Sequence, residues 1–174
     1  LYPEKAQIEI RASLKSLSIH GTILVGQEGL NGTISGSQEN IDQAITYIRQ
    51  LRNFNDMDVK FSEATINPFV RLKIKLKDEI VTIGDKTINP VNISGKYIDP
   101  KDWNALIDDD DTILIDTRND YECAIGTFKN AINPKTLRFR DFPKWVKTQN
   151  FSKEDKQNKK IAMFCTGGIR CEKA

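Results

Sequence analysis

Near the end of the chain, Cys165, Thr166, Gly167, Gly168, Ile169 and Arg170 set a thiol and a guanidinium on either side of two glycines. Gly167 and Gly168 allow positive φ without steric cost. The backbone can therefore turn its amide hydrogens inward on the sulfur as an anion cradle. A thiol held in this way falls from a pKa of about 8.5 into the range of about 3.5 to 7.5 and is a thiolate at neutral pH. Arg170 can add positive charge. The chemistry on offer is that of a nucleophile or of a persulfide carrier. Cys165 could instead be a small buried hydrophobe, but that role requires neither the glycine pair nor the arginine. Four residues, Thr166 to Ile169, separate Cys165 from Arg170. The loop of a cysteine-dependent phosphatase needs one more to circle a phosphate, so this tighter loop suits a bare thiolate or a single extra sulfur.

The elements that must position this loop can be read around it. Ile161 to Phe164 is an apolar run of buried-strand type that delivers Cys165 at its end. Ile169 to Ala174 has no breaker and predicts the first turn of a helix, with the sulfur over its free amides. Thr112 to Ile115 predicts a second buried strand, ending in Asp116, Thr117 and Arg118. Ligands gather beyond the carboxyl ends of parallel strands, which places Asp116, Arg118 and Cys165 on one side. Arg118 and Glu122 are expected to pair and brace the loop that follows. Cys171 is expected either to act as a resolving thiol or to face a helix core. Asp99 and Pro100 form a cap and first-turn pair for a helix carrying Trp103 and Leu106. The acidic run Asp108 to Asp111 precedes its strand and falls at the opposite edge.

Other chemistries fit less well. Cys123, Cys165, Cys171 and His20 would supply four metal ligands, but none is paired at the short spacing of structural zinc sites, and no metal is expected. His20 is the only histidine and lies far from Cys165 in sequence, so a Cys-His dyad has little support.

Earlier in the chain, Pro3 to Leu17 sets Ala6, Ile10, Leu14 and Leu17 on one helical face, while Ile8, Ile10, Ala12 and Leu14 also fit strand alternation. A helix is the preferred reading. Thr22 to Val25 predicts a strand, Asn31-Gly32 a two-residue hairpin turn, and Thr33 to Ser35 the returning strand. Ser37 caps a helix whose Ile41, Ala44, Ile45, Ile48 and Leu51 recur at helical spacing. A further strand is expected near Val59 to Ala64. This order is a ferredoxin-like βαββαβ unit short of its first strand.

From Phe69 to Lys77, Leu72, Ile74 and Leu76 alternate with Arg71, Lys73, Lys75 and Lys77. The stripe is either a solvated edge strand guarded by lysines or a surface that contacts phosphates. Between Arg138 and Lys160 there are eight positive and three negative residues, although the whole chain is only +2. Such uneven charge suits a surface that meets a polyanion. Phe139, Phe142 and Trp145 fall among these bases and are expected on the core side of an amphipathic helix rather than against nucleotides. Asn89 to Gly95 reads as an interdomain linker, dividing the chain into residues 1–68, a basic strand and linker over 69–95, and residues 96–174.

The 174 residues, 39% hydrophobic and 29% charged, describe an ordinary globular composition. No apolar run approaches the roughly 20 residues of a spanning helix, and no signal-peptide pattern opens the chain. Three cysteines without a CxxC pair fit a reducing cytoplasm. No feature specifies an oligomeric state.

The loop CTGGIR, with IDTRNDYECAIGTFKNAINP from Ile115 to Pro134, resembles the rhodanese-domain tRNA uridine-34 hydroxylases. GQEGLNGTISGS, Gly26 to Ser37, resembles the other domain of the same family. The resemblance implies an α/β protein, with a ferredoxin-like α+β domain followed by a rhodanese-like parallel α/β domain that is truncated at its C-terminus. It also implies a first strand before Leu1. The implied activity is hydroxylation of uridine 34 in tRNA to 5-hydroxyuridine, with Cys165 catalytic, tRNA bound through its anticodon region, and molecular oxygen as co-substrate. No dinucleotide or flavin motif is present, so no cofactor is expected. Sulfur transfer through a Cys165 persulfide, and an RNA-binding or redox-sensing module using Cys165 and Cys171, are the alternatives.

Overall fold

Two units, residues 1–80 and 81–174, each built on its own small sheet, make up the computed structural model of the chain. The structure describes residues 2–51, 54–85, 87–88, 90, 94–149 and 158–174. The chain is a mixed α/β protein.

In the first unit, α1 (Pro3–Lys15) resolves the ambiguity between helix and strand spacing. Ala6, Ile10 and Leu14 are buried while Ile8 is 67% exposed, as 3.6-residue periodicity requires. Next come β1 (His20–Gly26) and β2 (Gly29–Ser35), an antiparallel pair in which Gly26 faces Gly29. The reversal is therefore at Gln27 and Glu28, and the turn expected at Asn31-Gly32 lies instead inside β2, opposite Leu24 and Ile23. Gly32 is needed there for close approach, since a Cβ would lie 2.4 Å from the Thr22 carbonyl oxygen. Glu28 accepts a hydrogen bond from the Ile80 amide at 2.9 Å, giving this loop a structural task.

Helix α2 (Gln38–Gln50) starts as expected, with Ser37 Oγ accepting from the Asn40 amide at 3.3 Å. It buries Ala44, Ile45 and Ile48. The strand expected near Val59 to Ala64 does not form: residues 57–64 are irregular and Phe61 is 64% exposed. The sheet is completed instead by β3 (Leu72–Leu76), which runs parallel to β1 with Ile74 beside Ile23. Ile74 supplies the reason, being buried in the core formed with Ile10, Leu14, Ile23, Val25 and Ile48. Gln7 Nε2 and Arg11 Nη2 of α1 both donate to the Ile74 carbonyl, at 2.8 and 2.9 Å, and cover the backbone of this edge strand.

In the second unit, α3 (Pro100–Ile107) is capped by Asp99, whose carboxylate accepts from the Lys101 amide at 3.0 Å. Two parallel strands, β4 (Thr112–Asp116) and β5 (Lys160–Phe164), pair in register with Asp116 beside Phe164, and Ile132 adds an isolated bridge to Ile115. Short helices α4 (Asp120–Cys123) and α5 (Phe142–Thr148) complete the unit. Phe139 and Phe142 are buried with Ile83 and Ile115, and Trp145, Val81 and Ile88 pack against them. The aromatics thus serve the core, while Arg138, Arg140, Lys144 and Lys147 stay exposed.

The segment 69–95 is shared between the units, β3 belonging to the first and Val81, Ile83 and Ile88 to the core of the second. Asn89 and residues 91–93 of the expected linker, and Lys153 and Lys156 of the basic stretch, lie outside the described residues. Among the described residues no helix is long and apolar enough to cross a membrane.

Candidate active site

Parallel pairing of β4 and β5 brings their carboxyl ends together, and the register places Cys165 just beyond Phe164, next to Asp116 and Thr117. Thr117 fastens the junction: its amide and hydroxyl both donate to the Phe164 carbonyl, at 3.0 and 2.9 Å. The expected co-location of Asp116, Arg118 and Cys165 is what the topology produces. At the other end of the strands, Asp109 pairs with Lys160 at 2.8 Å, so the acidic run does lie away from the sulfur.

The helix expected over Ile169 to Ala174 is instead a succession of tight turns, with Cys171 N bonded to Gly168 O at 2.9 Å and Lys173 N to Arg170 O at 3.1 Å. Gly168 at φ +83 makes the bend, which a side chain would strain, and Tyr97 packs over it. The buried Lys173 anchors the end of the loop, its Nζ donating to the Val81 carbonyl at 3.1 Å. Within these tight turns the amides of Gly167, Arg170 and Cys171 still reach the sulfur, so the cradle exists without an α-helix.

Cys165 is half-buried. Its thiol is pulled down to about 4, chiefly by a hydrogen bond from the Cys171 thiol and further by the amides of Arg170, Gly167 and Cys171, against the opposing effect of burial. The same contact pushes the Cys171 thiol up, assisted by burial, so Cys165 carries the charge and Cys171 the proton. Thr117 Oγ1 lies 3.5 Å from Cys171 Sγ and completes the contact. Cys123 contrasts with both: burial and the neighbouring Asp116 push its thiol up to about 11.

Two ion pairs frame the loop, and they are not the pair expected. Arg118 does not pair with Glu122. It binds Asp116 through two nitrogens, Nε at 2.9 Å and Nη2 at 2.7 Å, and donates to the Gly126 carbonyl. Asp116 is fully buried, and although burial opposes its charge, hydrogen bonds from Arg118 and the Thr127 hydroxyl outweigh it and hold the carboxyl below its ordinary value. Glu122 instead meets Arg170 fork to fork, at 2.7 and 2.8 Å, and accepts from the Thr166 hydroxyl at 2.7 Å and the Asn119 amide at 3.1 Å. The Arg170 hydrogen bonds bring its carboxyl down to about 2. Two residues apart, Asp116 captures Arg118 locally, which leaves Glu122 to clamp the loop from α4.

An open cleft of about 310 Å³ borders the sulfur, lined by Arg118, Thr127, Phe128, Phe164, Cys165 and Thr166. Phe128 and Phe164 meet edge to face at 4.8 Å, and Trp103 lies 5.7 Å from Phe128. Sequence reasoning singled out neither Phe128 nor Thr127, because only the fold brings them to the cleft. Arg71, Lys73, Lys75 and Lys77, the other candidates, are in the first unit, exposed on and beside the edge strand β3.

Comparison with known proteins agrees with both halves. Residues 2–80 match the family described as the UPF0176 acylphosphatase like domain, and residues 99–174 match the rhodanese-like domain. A protein of Bartonella quintana (strain Toulouse) named tRNA uridine(34) hydroxylase is 53% identical over 156 residues, covering 90% of this chain and 51% of that protein. Its namesake in Sinorhizobium medicae (strain WSM419) is 50% identical over 165 residues, covering 95% of this chain and 51% of that protein. The chain thus spans about half the length of the curated relatives it matches.

Proposed function

We propose, from the match of residues 2–80 to a UPF0176 acylphosphatase like domain and of residues 99–174 to a rhodanese-like domain, that the full-length protein converts uridine 34 of tRNA to 5-hydroxyuridine, with Cys165 as nucleophile. The observation that carries this reading is the position of Cys165 at the end of β5, where the Cys171 thiol and the loop amides hold its own thiol low and the sulfur opens onto a cleft of about 310 Å³.

In this reaction the thiolate adds to C6 of uracil and the electron pair moves toward C5, which forms a bond to molecular oxygen. The C5 hydroperoxide so produced takes up two electrons and two protons from a thiol-class reductant, releasing water and leaving one oxygen on C5. Loss of the C5 proton then breaks the C6–S bond and restores both the thiolate and the uracil double bond. Arg170 and Glu122 keep the cradle in shape during the cycle, since their charges satisfy one another. Arg71, Lys73, Lys75 and Lys77 supply phosphate contacts to the tRNA, whose anticodon carries the target. Free thiols and a tRNA substrate support a cytoplasmic setting for this reaction.

The test is isotopic. Cells with and without the full-length protein are grown under heavy-isotope oxygen gas and uridine 34 is examined at accurate mass. A protein-dependent heavy oxygen on the base is the expected result. A protein-dependent thiouridine without that label would overturn the reading in favour of sulfur transfer, which the same amides serve by steadying a persulfide.

A further inference from the structure

The side-chain donors around the cleft are already engaged within the protein. Arg118 is held by Asp116 and the Gly126 carbonyl, the Thr127 hydroxyl donates to Asp116 at 2.8 Å, and the Thr166 hydroxyl donates to Glu122 at 2.7 Å. A base entering beside Cys165 therefore meets few free hydrogen-bonding side chains on these walls. Phe128 remains. The residue is 42% exposed, whereas Phe139 and Phe142 of the core are 7% and 3% exposed. It is nevertheless held on two sides, by Phe164 at 4.8 Å and 88° and by Trp103 at 5.7 Å and 56°. Phe164 is itself covered by the Arg118 guanidinium, 5.5 Å from its centroid, and that arginine is locked to the buried Asp116. A ring that is fixed yet partly open to the cleft has the properties of a stacking platform, because every base has an apolar π-face and little side-chain entropy remains to be lost.

From this we infer that Phe128 is the wall on which the target base stacks, so that the cleft takes an unstacked pyrimidine by its face and presents it to Cys165. The inference rests on the proposed action on uridine 34 and adds a residue that determines how the base is held. It also implies that the cleft selects by shape and flatness more than by side-chain hydrogen bonds to the base edge.

The experiment uses the full-length protein and an anticodon stem-loop RNA carrying either uridine or an abasic nucleotide at position 34. The wild type binds the uridine form more tightly, by about tenfold to a hundredfold, the range that loss of one aromatic stacking contact produces. Phe128→Ala and Phe128→Leu should bring the two RNAs to equal affinity, and Phe128→Trp should keep them apart. Alkylation of Cys165 at neutral pH monitors the loop and should proceed at the wild-type rate in all three variants. Phe128→Leu that keeps the full preference overturns the inference, because bulk would then suffice. A Phe128→Leu variant with slowed alkylation overturns it too, because the ring would then be holding the loop. If wild-type protein makes no 5-hydroxyuridine, the functional reading fails on that product assay, separately from the binding comparison.

Discussion

The loop after β5 and the strand β3 both display cationic and apolar residues, yet they use charge in opposite ways. Around Cys165 the charges are largely withdrawn from water and matched: Asp116 with Arg118, and Glu122 with Arg170, whose side chains are 16% and 14% exposed. On β3, Lys73 and Lys75 project from an exposed edge while Ile74 between them is buried. A withdrawn, paired charge fixes geometry, because removing one partner strands the other. An exposed charge fixes little, but it remains available to a polyanion and sensitive to salt. The first arrangement suits the positioning of one sulfur atom, the second the collection of phosphates.

The sharpest way to break this contrast is to remove the sulfur. Cys165→Ser should reduce 5-hydroxyuridine at position 34 to background in cells relying on the full-length variant, whereas Cys123→Ser should leave it near wild type. Equal losses would mean that the cradle is not what distinguishes the two thiols. The pH dependence of alkylation, followed by mass spectrometry of labelled peptides, sharpens the same point. Cys165, at about 4, is charged above that pH and should react at a rate that no longer rises beyond about pH 6. Cys123, raised to about 11, should stay nearly inert across that range.

A smaller loss is expected from Glu122→Gln, which removes the charge facing Arg170. Modification should fall about tenfold to a hundredfold, and the unfolding free energy by about 2 kcal/mol, below the cost of breaking a fully buried pair. The sign with pH follows from the carboxyl being depressed from 4.5 to about 2. Its stabilisation is fully present above the unfolded value and is lost as pH falls from about 4.5 toward 2. Denaturant unfolding of wild type and variant should therefore differ at pH 7 and converge near pH 2. A constant difference over that interval would return Glu122 to a packing role.

The mildest effect belongs to β3. Lys73→Glu with Lys75→Glu should weaken tRNA binding severalfold and flatten its salt dependence, while the Cys165 alkylation rate stays at the wild-type value. Affinity and salt slope equal to wild type would leave these lysines as guards of a sheet edge.

Local features were legible in the sequence where local chemistry suffices. Ser37 and Asp99 cap helices as their types require, β5 carries the apolar run that precedes Cys165, and the alternation of β3 survives at Leu72 and Ile74 but not at the exposed Leu76. Helical spacing in α1 was legible as well, although Ile8 had to be exposed before the strand alternative disappeared. Asn31-Gly32 misled because a turn dipeptide and a close-packed strand glycine are the same letters, and only the approach of the Thr22 carbonyl distinguishes them. The strand expected at 59–64 failed for a related reason, since an alternating pattern does not say whether a sheet will offer it a partner.

Sequence by itself determined the glycine loop that follows β5, the thiol it wraps and the side of the sheet on which both lie, because these depend on residue types within one loop and on the direction of two strands. Tertiary structure alone decided the partners. Glu122 and Arg170 lie far apart in the chain yet meet at 2.7 Å, Arg118 turns back to Asp116, and Phe128 reaches the cleft from the loop after α4. Pairing between distant side chains depends on the packing of α4 and the loops onto β4 and β5, and no spacing along the chain encodes that distance.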